Sequence, residues 1–324
     1  MKLFVLAPLI LLSACTPAPA GGPKADSPPR PIVLKFPPRE SPIGFTWIPG
    51  GTFKMGKADG LPDAKPVHEV TLNGFWISTT EITNAQFTEF IRETKHKTTA
   101  EQNPNPAEFP GADPKDLVPG ALIHTESGWK YIKGANWMHP AGPKSNLNGL
   151  GNHPVVNVSY DDALAYCNWA GATLPSEAQF EYAERGGMSE QKYDWGNVQQ
   201  PNKKHMANIW QGEFPVKNLN TDGFLTTAPV KSFPPNRYGL YDMSGNVWEW
   251  CLDWYDPNFY SKRQRVVNPI NDIKPTGPDP SRVTRGGSFL CSDNYCLGYQ
   301  PGTRMKTTPD AGLYHTGFRC VINP

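Results

Sequence analysis

The chain has 324 residues, with 31 basic and 30 acidic side chains and a formal net charge of +1. That balance argues against a surface built for nucleic acid or anionic membrane. With 30 Gly, 35 Pro and 10 Trp, tight turns and irregular segments held by large aromatic anchors are expected in place of long helices.

Met1 and Lys2 lead into the apolar run Phe4 to Leu12, which is too short to span a bilayer and suits a signal segment. It ends Leu12-Ser13-Ala14-Cys15, resembling a bacterial lipobox, in which cleavage before Cys15 leaves that residue to carry lipid. The alternative is an ordinary cleaved signal with an incidental cysteine. Residues 1–15 are therefore read as a lipoprotein signal, and 16–42 as a linker too poor in large apolar side chains to offset the entropy of ordering. The folded part is 43–324, roughly 280 residues, enough for one domain or two. A soluble body tethered by lipid to the bacterial cell envelope is expected, on its periplasmic or extracytoplasmic face.

In chain order, strands are expected at Gly51 to Met55 and His68 to Leu72. Thr83 to Thr94 reads as a helix, with Thr83 as cap, Gln86 completing a capping box, and Phe87, Phe90 and Ile91 on the core face. From about Thr98 to Gly151 the pattern is that of long loops. A brief strand at Val156 to Val158 precedes a second helix, in which Ser159 caps, Asp161 and Asp162 complement the dipole, Ala163, Tyr166, Cys167 and Ala170 form a stripe, and Gly171 terminates. A shorter helix runs from Ser176 through Glu184 to Gly186-Gly187. Further strands are expected at Thr227 to Val230, Val283 to Phe289 and Gly317 to Val321.

With Cys15 assigned to lipid, Cys167, Cys251, Cys291, Cys296 and Cys320 remain, an odd number for a compartment that favours disulfides. Cys167 on a core-facing helix and Cys320 in a terminal strand are candidates to staple the domain. Cys251 reads as a buried apolar filler. Cys291 and Cys296, in Arg285-Gly-Gly-Ser-Phe-Leu-Cys291-Ser-Asp-Asn-Tyr-Cys296, are open to three readings. They are a local disulfide, a redox dithiol at a longer spacing than Cys-x-x-Cys, or a soft pair suited to Cu(I). Zinc lacks further Cys or His ligands nearby.

The ordered set GNHPVVNVSYDDALAYCNWAGATLPSEAQFEYAERGG, YDWGN, ANIWQGEFP, DGFLTTAPV, YGLYDMSGNVWEW, RGGSFLCSDNYC and GFRC resembles the formylglycine-generating enzymes, or sulfatase-modifying factors, from about Phe45 to Cys320. The resemblance implies a single α+β, loop-rich domain related to C-type lectins. It implies an oxidase in which Cys291 and Cys296 bind Cu(I), recruit the thiol of a substrate cysteine and, with molecular oxygen, convert it to formylglycine with loss of sulfide. The substrate would be a Cys-x-Pro-x-Arg-type segment of an unfolded, exported sulfatase. Ser288 and Tyr295 match residues flanking the pair, Trp248 an aromatic of the pocket, and Arg304 an arginine beside the peptide groove. His315 stands where several members carry Asn, two residues before Gly-Phe-Arg-Cys. The family's bridge maps onto Cys167 and Cys320, and a second bridge of some animal members falls on Glu184 and Pro301, so both partners are absent together.

The resemblance also implies two Ca²⁺ sites. One uses Asn208 and Asp222 side chains with the carbonyls of Ile209 and Phe224, the other Asp242 and Glu249 with the carbonyls of Gly245 and Val247. Read alone, Asn218 to Gly223 fails as an EF-hand, because Pro229 stands where the bidentate Glu belongs. No His-x-x-x-His-x-Glu, His-Glu-x-x-His, Gly-x-Ser-x-Gly or phosphate-loop pattern occurs, which sets aside those iron, zinc, hydrolase and nucleotide classes. The competing reading is a non-catalytic, lectin-like binding or envelope-assembly protein on the same scaffold. The sequence leaves oligomeric state open.

Overall fold

The computed structural model describes residues 41–109, 111–262, 265–310 and 312–324; the signal segment, Cys15 and the linker as far as residue 40 lie outside the described residues. Strands β1 (Phe45–Ile48), β2 (Gly51–Met55), β3 (His68–Leu72) and β4 (Phe75–Ser78) precede helix α1 (Asn84–Thr94) and a hairpin of β5 (Gly120–Thr125) and β6 (Gly128–Lys133). Helices α2 (Tyr160–Trp169) and α3 (Glu177–Glu184) follow. A long irregular stretch then leads to β7 (Trp248–Trp254), β8 (Arg265–Val267), β9 (Arg282–Arg285), β10 (Met305–Thr307), β11 (Thr316–Gly317) and β12 (Val321–Ile322). The strands form small sheets ordered β1-β4-β12, β2-β3-β8, β10-β9-β7-β11 and β5-β6. The loop-rich character expected from composition and the α+β class implied by the resemblance are what the chain adopts.

All three helices begin where their caps predict. Thr83 Oγ1 accepts from the Gln86 amide while Gln86 Oε1 accepts from the Thr83 amide. Ser159 and Asp162 make the same reciprocal pair, as do Ser176 and Gln179. Two donors with no partner inside the helix are thereby satisfied at each start. Phe87, Phe90, Ala163, Tyr166 and Cys167 are buried as read, whereas Ile91 is half-buried and Ala170, just past the end of α2, is exposed. Cys251 is fully buried among apolar neighbours.

Several strand assignments fail for identifiable reasons. Val156 to Val158 is irregular because Asn157 takes a left-handed φ of 58°. In Thr227 to Val230 the Ala228 amide donates to the Asn246 side chain and the Val230 amide to the Asn152 carbonyl, so no ladder forms. The strand from Val283 stops at Arg285, and Gly317 to Val321 divides between β11 on β7 and β12 on β4. The hairpin β5–β6 lies within the stretch read as loop, with Leu122, Trp129 and Tyr131 on its exposed surface.

α3 has an unusual inner face. Glu177, Glu181 and Glu184 are spaced to share one side of a helix, and that side is buried against β9 and β2. Arg285, itself fully buried, donates to Glu177 Oε1 at 3.1 Å and Glu181 Oε2 at 2.8 Å. Arg304 makes a two-pronged contact with Glu177 at 2.6 and 2.9 Å, and Arg185 binds Glu181 at 2.7 and 3.0 Å. Burial opposes ionisation of Glu181, but Arg185 and Arg285 outweigh it and hold its carboxyl down to about 2.

Removing one member of this network leaves buried charge unpaired, so Arg285→Leu should cost about 3–5 kcal/mol in urea unfolding. Glu184 behaves oppositely, because burial outweighs Arg285 and pushes its carboxyl up to about 8, and neither oxygen has a hydrogen-bond partner. A carboxyl raised on folding stabilises fully at low pH, and that stabilisation is lost as pH rises from the ordinary carboxylate range to about 8. Glu184→Gln should therefore gain stability over the parent progressively across that window, and a pH-independent difference would refute this account.

Candidate active site

β9 delivers the chain to Gly286 and Gly287, whose φ values of +88° and +77° lie where Gly alone is unstrained. A Cβ on Gly287 would come within 2.5 Å of the Tyr299 amide nitrogen, and one on Gly298 would overlap the Trp248 ring. The backbone before Cys291 thus lies directly against the backbone after Cys296. The intervening loop is closed by the Cys291 amide on the Ser288 carbonyl at 2.9 Å and the Cys296 amide on the Ser292 carbonyl at 3.0 Å, while the Trp210 amide donates to the Cys291 carbonyl at 2.9 Å.

This geometry sets the two thiols in hydrogen-bond contact, both free, Cys291 buried and Cys296 partly exposed. Burial, then the hydrogen bond with Cys296, pushes Cys291 well up; the same hydrogen bond draws Cys296 down. The pair therefore titrates as a unit, with the first negative charge on the accessible sulfur. Among the described residues no group of three or more His, Cys, Asp or Glu side chains converges as a metal cage. Two soft sulfurs with room for a further ligand fit Cu(I), which accepts low coordination numbers.

Trp248 is buried in the cluster that holds Cys291 and Tyr299. Ser288 is buried, its Oγ 3.2 Å from His315 Nδ1. Burial, with His124 as a lesser cause, pushes His315 down to about 3, so its ring is neutral at ordinary pH. Tyr295 is 63% exposed and its ring stacks on Phe214 at 4.2 Å. Sequence reasoning missed the wall that continues from there: Phe214 faces His124 at 5.2 Å, His124 faces Trp129 at 5.4 Å, and Trp129 faces His315 at 4.8 Å. Its signal was the aromatic content of β6, obscured by the loop-like composition around it.

Arg304 requires a correction. Its guanidinium is buried on Glu177 and on the carbonyls of Asp63 and Asp256, beneath the rings of Tyr255 and Tyr260, so it supports the fold and is not free for a peptide. Cys167 and Cys320, at the end of α2 and before β12, bring their sulfurs to 2.6 Å.

The two proposed oxygen cages differ in fit. At the first, Asn208 Oδ1 is buried without a partner, and the Gln211 amide donates to both the Ile209 carbonyl and Asp222 Oδ2, lying where several oxygens call for positive charge. These donors fit Ca²⁺. At the second, both oxygens of Glu249 are taken by Arg319 at 2.7 Å each, and burial pushes Asp242 up to about 6 beside Glu81, which is raised further. Arg319 answers the charge of Glu249, so the second set leaves a cation fewer free oxygens than the first.

Asp293 and Asn294 of the thiol loop line a cleft of about 550 Å³ with Trp210, Gln211 and Glu213. The larger cleft, about 970 Å³, is lined by Lys54, Lys57, His68, Arg185 and Lys192 and holds none of the expected site residues.

The profile of the sulfatase-modifying factor enzyme 1-like domain matches residues 33–324. The chain belongs to that family. A formylglycine-generating enzyme of Thermomonospora curvata is 43% identical over 296 residues, spanning 89% of this chain and 96% of that one. A protein described as inactive C-alpha-formylglycine-generating enzyme 2, from Bos taurus, is 38% identical over 286 residues, spanning 86% and 88%. PvdO from Pseudomonas aeruginosa superposes with a TM-score of 0.61 at 23% identity, covering 86% and 93%, a likeness of fold. That fold is related to C-type lectins.

Because family members include an inactive one, accessibility of the thiols is worth measuring directly. Brief iodoacetamide treatment of reduced protein followed by peptide mapping should label Cys296 before Cys291 and leave Cys251 unlabelled. Equal labelling of all three would contradict this geometry.

Proposed function

We propose that this protein converts a cysteine of a sulfatase polypeptide to formylglycine, using molecular oxygen and Cu(I) held by Cys291 and Cys296. The observation that carries this reading is the pair of contacting sulfurs, one sealed in the core and one partly exposed to an incoming ligand. Membership of the family and the named relatives support an oxidoreductase acting on a peptidyl cysteine. The copper, the oxygen and the Cys-x-Pro-x-Arg-type segment are our extension of it.

Bound copper would supply one-electron redox chemistry with oxygen and a third position for the substrate sulfur. The chain's own residues do the rest. Burial keeps Cys291 fixed, and the shared hydrogen bond favours deprotonation at Cys296, where a ligand can reach. Trp248 excludes water behind the pair. Ser288 and neutral His315 offer a hydroxyl and an imidazole beside the loop that can orient a sulfur or an oxygen species. Tyr295, whose ring stacks on Phe214, has its hydroxyl exposed on the approach side. An extended, unfolded polypeptide suits this open entrance, because its cysteine can reach the pair without rearrangement of the client.

For the surroundings, we propose lipid attachment at Cys15 to the bacterial envelope, a Cys167–Cys320 disulfide, and one Ca²⁺ at Asn208, Ile209, Asp222 and Phe224. Chelation should then lower the melting temperature of the parent, and Asn208→Ala should abolish that sensitivity. A parent indifferent to chelator removes the calcium.

The deciding assay is mass spectrometry of a sulfatase-derived cysteine peptide incubated with copper-loaded protein and oxygen. The expected product carries an aldehyde and is lost, by at least several-fold, in Cys291→Ser and Cys296→Ser. The 38% identity to a relative described as inactive motivates the second reading, a non-catalytic binding or envelope-assembly protein. Peptide binding with no mass change would favour it.

A further inference from the structure

Conversion of a thiol to an aldehyde with release of sulfide takes up one water and gives two electrons and two protons. Reduction of oxygen to two waters takes four electrons. The proposed reaction is therefore short of two electrons, which an external reductant must deliver while the substrate peptide covers the entrance to the thiols. Otherwise oxygen stops at peroxide.

Beside the thiols, three rings form a row. Tyr299 is buried in the cluster of Cys291 and Trp248. Tyr193 lies parallel to it, 5.9 Å away at an interplanar angle of 9°, and Trp195 lies parallel to Tyr193 at 4.8 Å and 2°. Tyr193 is buried and Trp195 is partly exposed, so the stack connects the sulfur site with solvent. Parallel rings at these separations are offset-stacked, and they set the three π-systems in one continuous row from the buried cluster to the surface. The inner phenol has a proton acceptor in place: Tyr299 Oη donates a hydrogen bond to Asp293 Oδ1 and accepts from Gln199 Nε2 at 3.2 Å. The Lys192 ammonium lies 5.3 Å from the Tyr193 centroid and disfavours a resting radical there. The middle ring therefore passes charge on and does not store it.

We propose that Tyr299, Tyr193 and Trp195 form an electron relay that carries reducing equivalents from an external thiol or other one-electron donor at the surface to the oxygen consumed at Cys291 and Cys296. This rests on the proposed oxidase activity. In each cycle Tyr299 gives one electron to the oxygen-derived oxidant and its phenolic proton to Asp293. Trp195 reduces the Tyr299 radical by electron tunnelling through the Tyr193 ring, which is never itself left oxidised, and Asp293 returns the proton to Tyr299. The donor then reduces the Trp195 radical cation. Two cycles supply the two electrons, and two donor thiols that lose one electron and one proton each couple as a disulfide. The released protons complete water.

The test has two arms. In copper-free protein, a ruthenium photo-oxidant attached through the accessible thiol of Cys296 should generate a tryptophan radical by transient absorption. That signal should be lost in Trp195→Phe, fall several-fold in Tyr193→Phe and Tyr299→Phe, and persist in Tyr295→Phe. Under turnover with a cysteine peptide and a thiol reductant, Tyr193→Phe and Trp195→Phe should raise peroxide released per aldehyde several-fold, with peptide affinity by fluorescence anisotropy unchanged. A radical yield that is the same in Trp195→Phe and the parent overturns the relay, as does an unchanged peroxide ratio. Absence of aldehyde from every form, the parent included, counts against the oxidase, and the photochemical arm then decides alone whether these rings conduct.

Discussion

The fold depends on a guanidinium placed where no water reaches it. Arg285 closes β9 with its charge between Glu177 and Glu181 of α3, and Arg304 grips the other side of Glu177. Charges this deep tolerate little displacement, since movement of any one leaves another unpaired in low dielectric. Strand β9, helix α3 and the segment after Cys296 are thereby held in register. The two segments that carry the candidate thiols emerge on either side of this anchor. A chain poor in regular hydrogen-bonded ladders obtains from ion pairs some of the rigidity that larger sheets provide elsewhere.

Rigidity at that point has a chemical use. The Gly286-Gly287 turn and Gly298 let backbone and the Trp248 ring approach so closely that the thiol loop has little freedom. One sulfur is sealed and the other faces outward, which divides a symmetric pair into an anchor and a port. An aromatic wall runs from Tyr295 to His315, and the parallel rings of Tyr299, Tyr193 and Trp195 adjoin the same cluster as Cys291.

Much of the local structure was legible because its causes are local. A capping box announced the first helix and the Ser159 cap with its acidic first turn the second, and the thiol spacing, Gly-Gly turn and family motifs marked the loop where the candidate site lies. Strands were less legible, since their partners are distant: Val156 to Val158 and Thr227 to Val230 have suitable residues but side-chain or isolated backbone partners in place of a ladder. The hairpin β5–β6 was missed for the converse reason, with its rings outward and its flanks rich in Pro, Gly and Asn. Arg304 shows the limit of carrying a role over by position. Its position was compatible with a peptide or a local carboxylate, and the carboxylate of Glu177 claims the guanidinium.

By itself the sequence determined the loop-rich character, helix starts and the family, because these follow from residue type and short spacing. Only tertiary structure decided which of those residues face one another. Glu249 pairs with Arg319, Asn208 Oδ1 is left without a partner, and Tyr299 aligns with Tyr193 and Trp195 from a segment about a hundred residues distant. Those outcomes turn on burial and on the competition of many polar groups for few partners, quantities that come into being when the chain closes on itself.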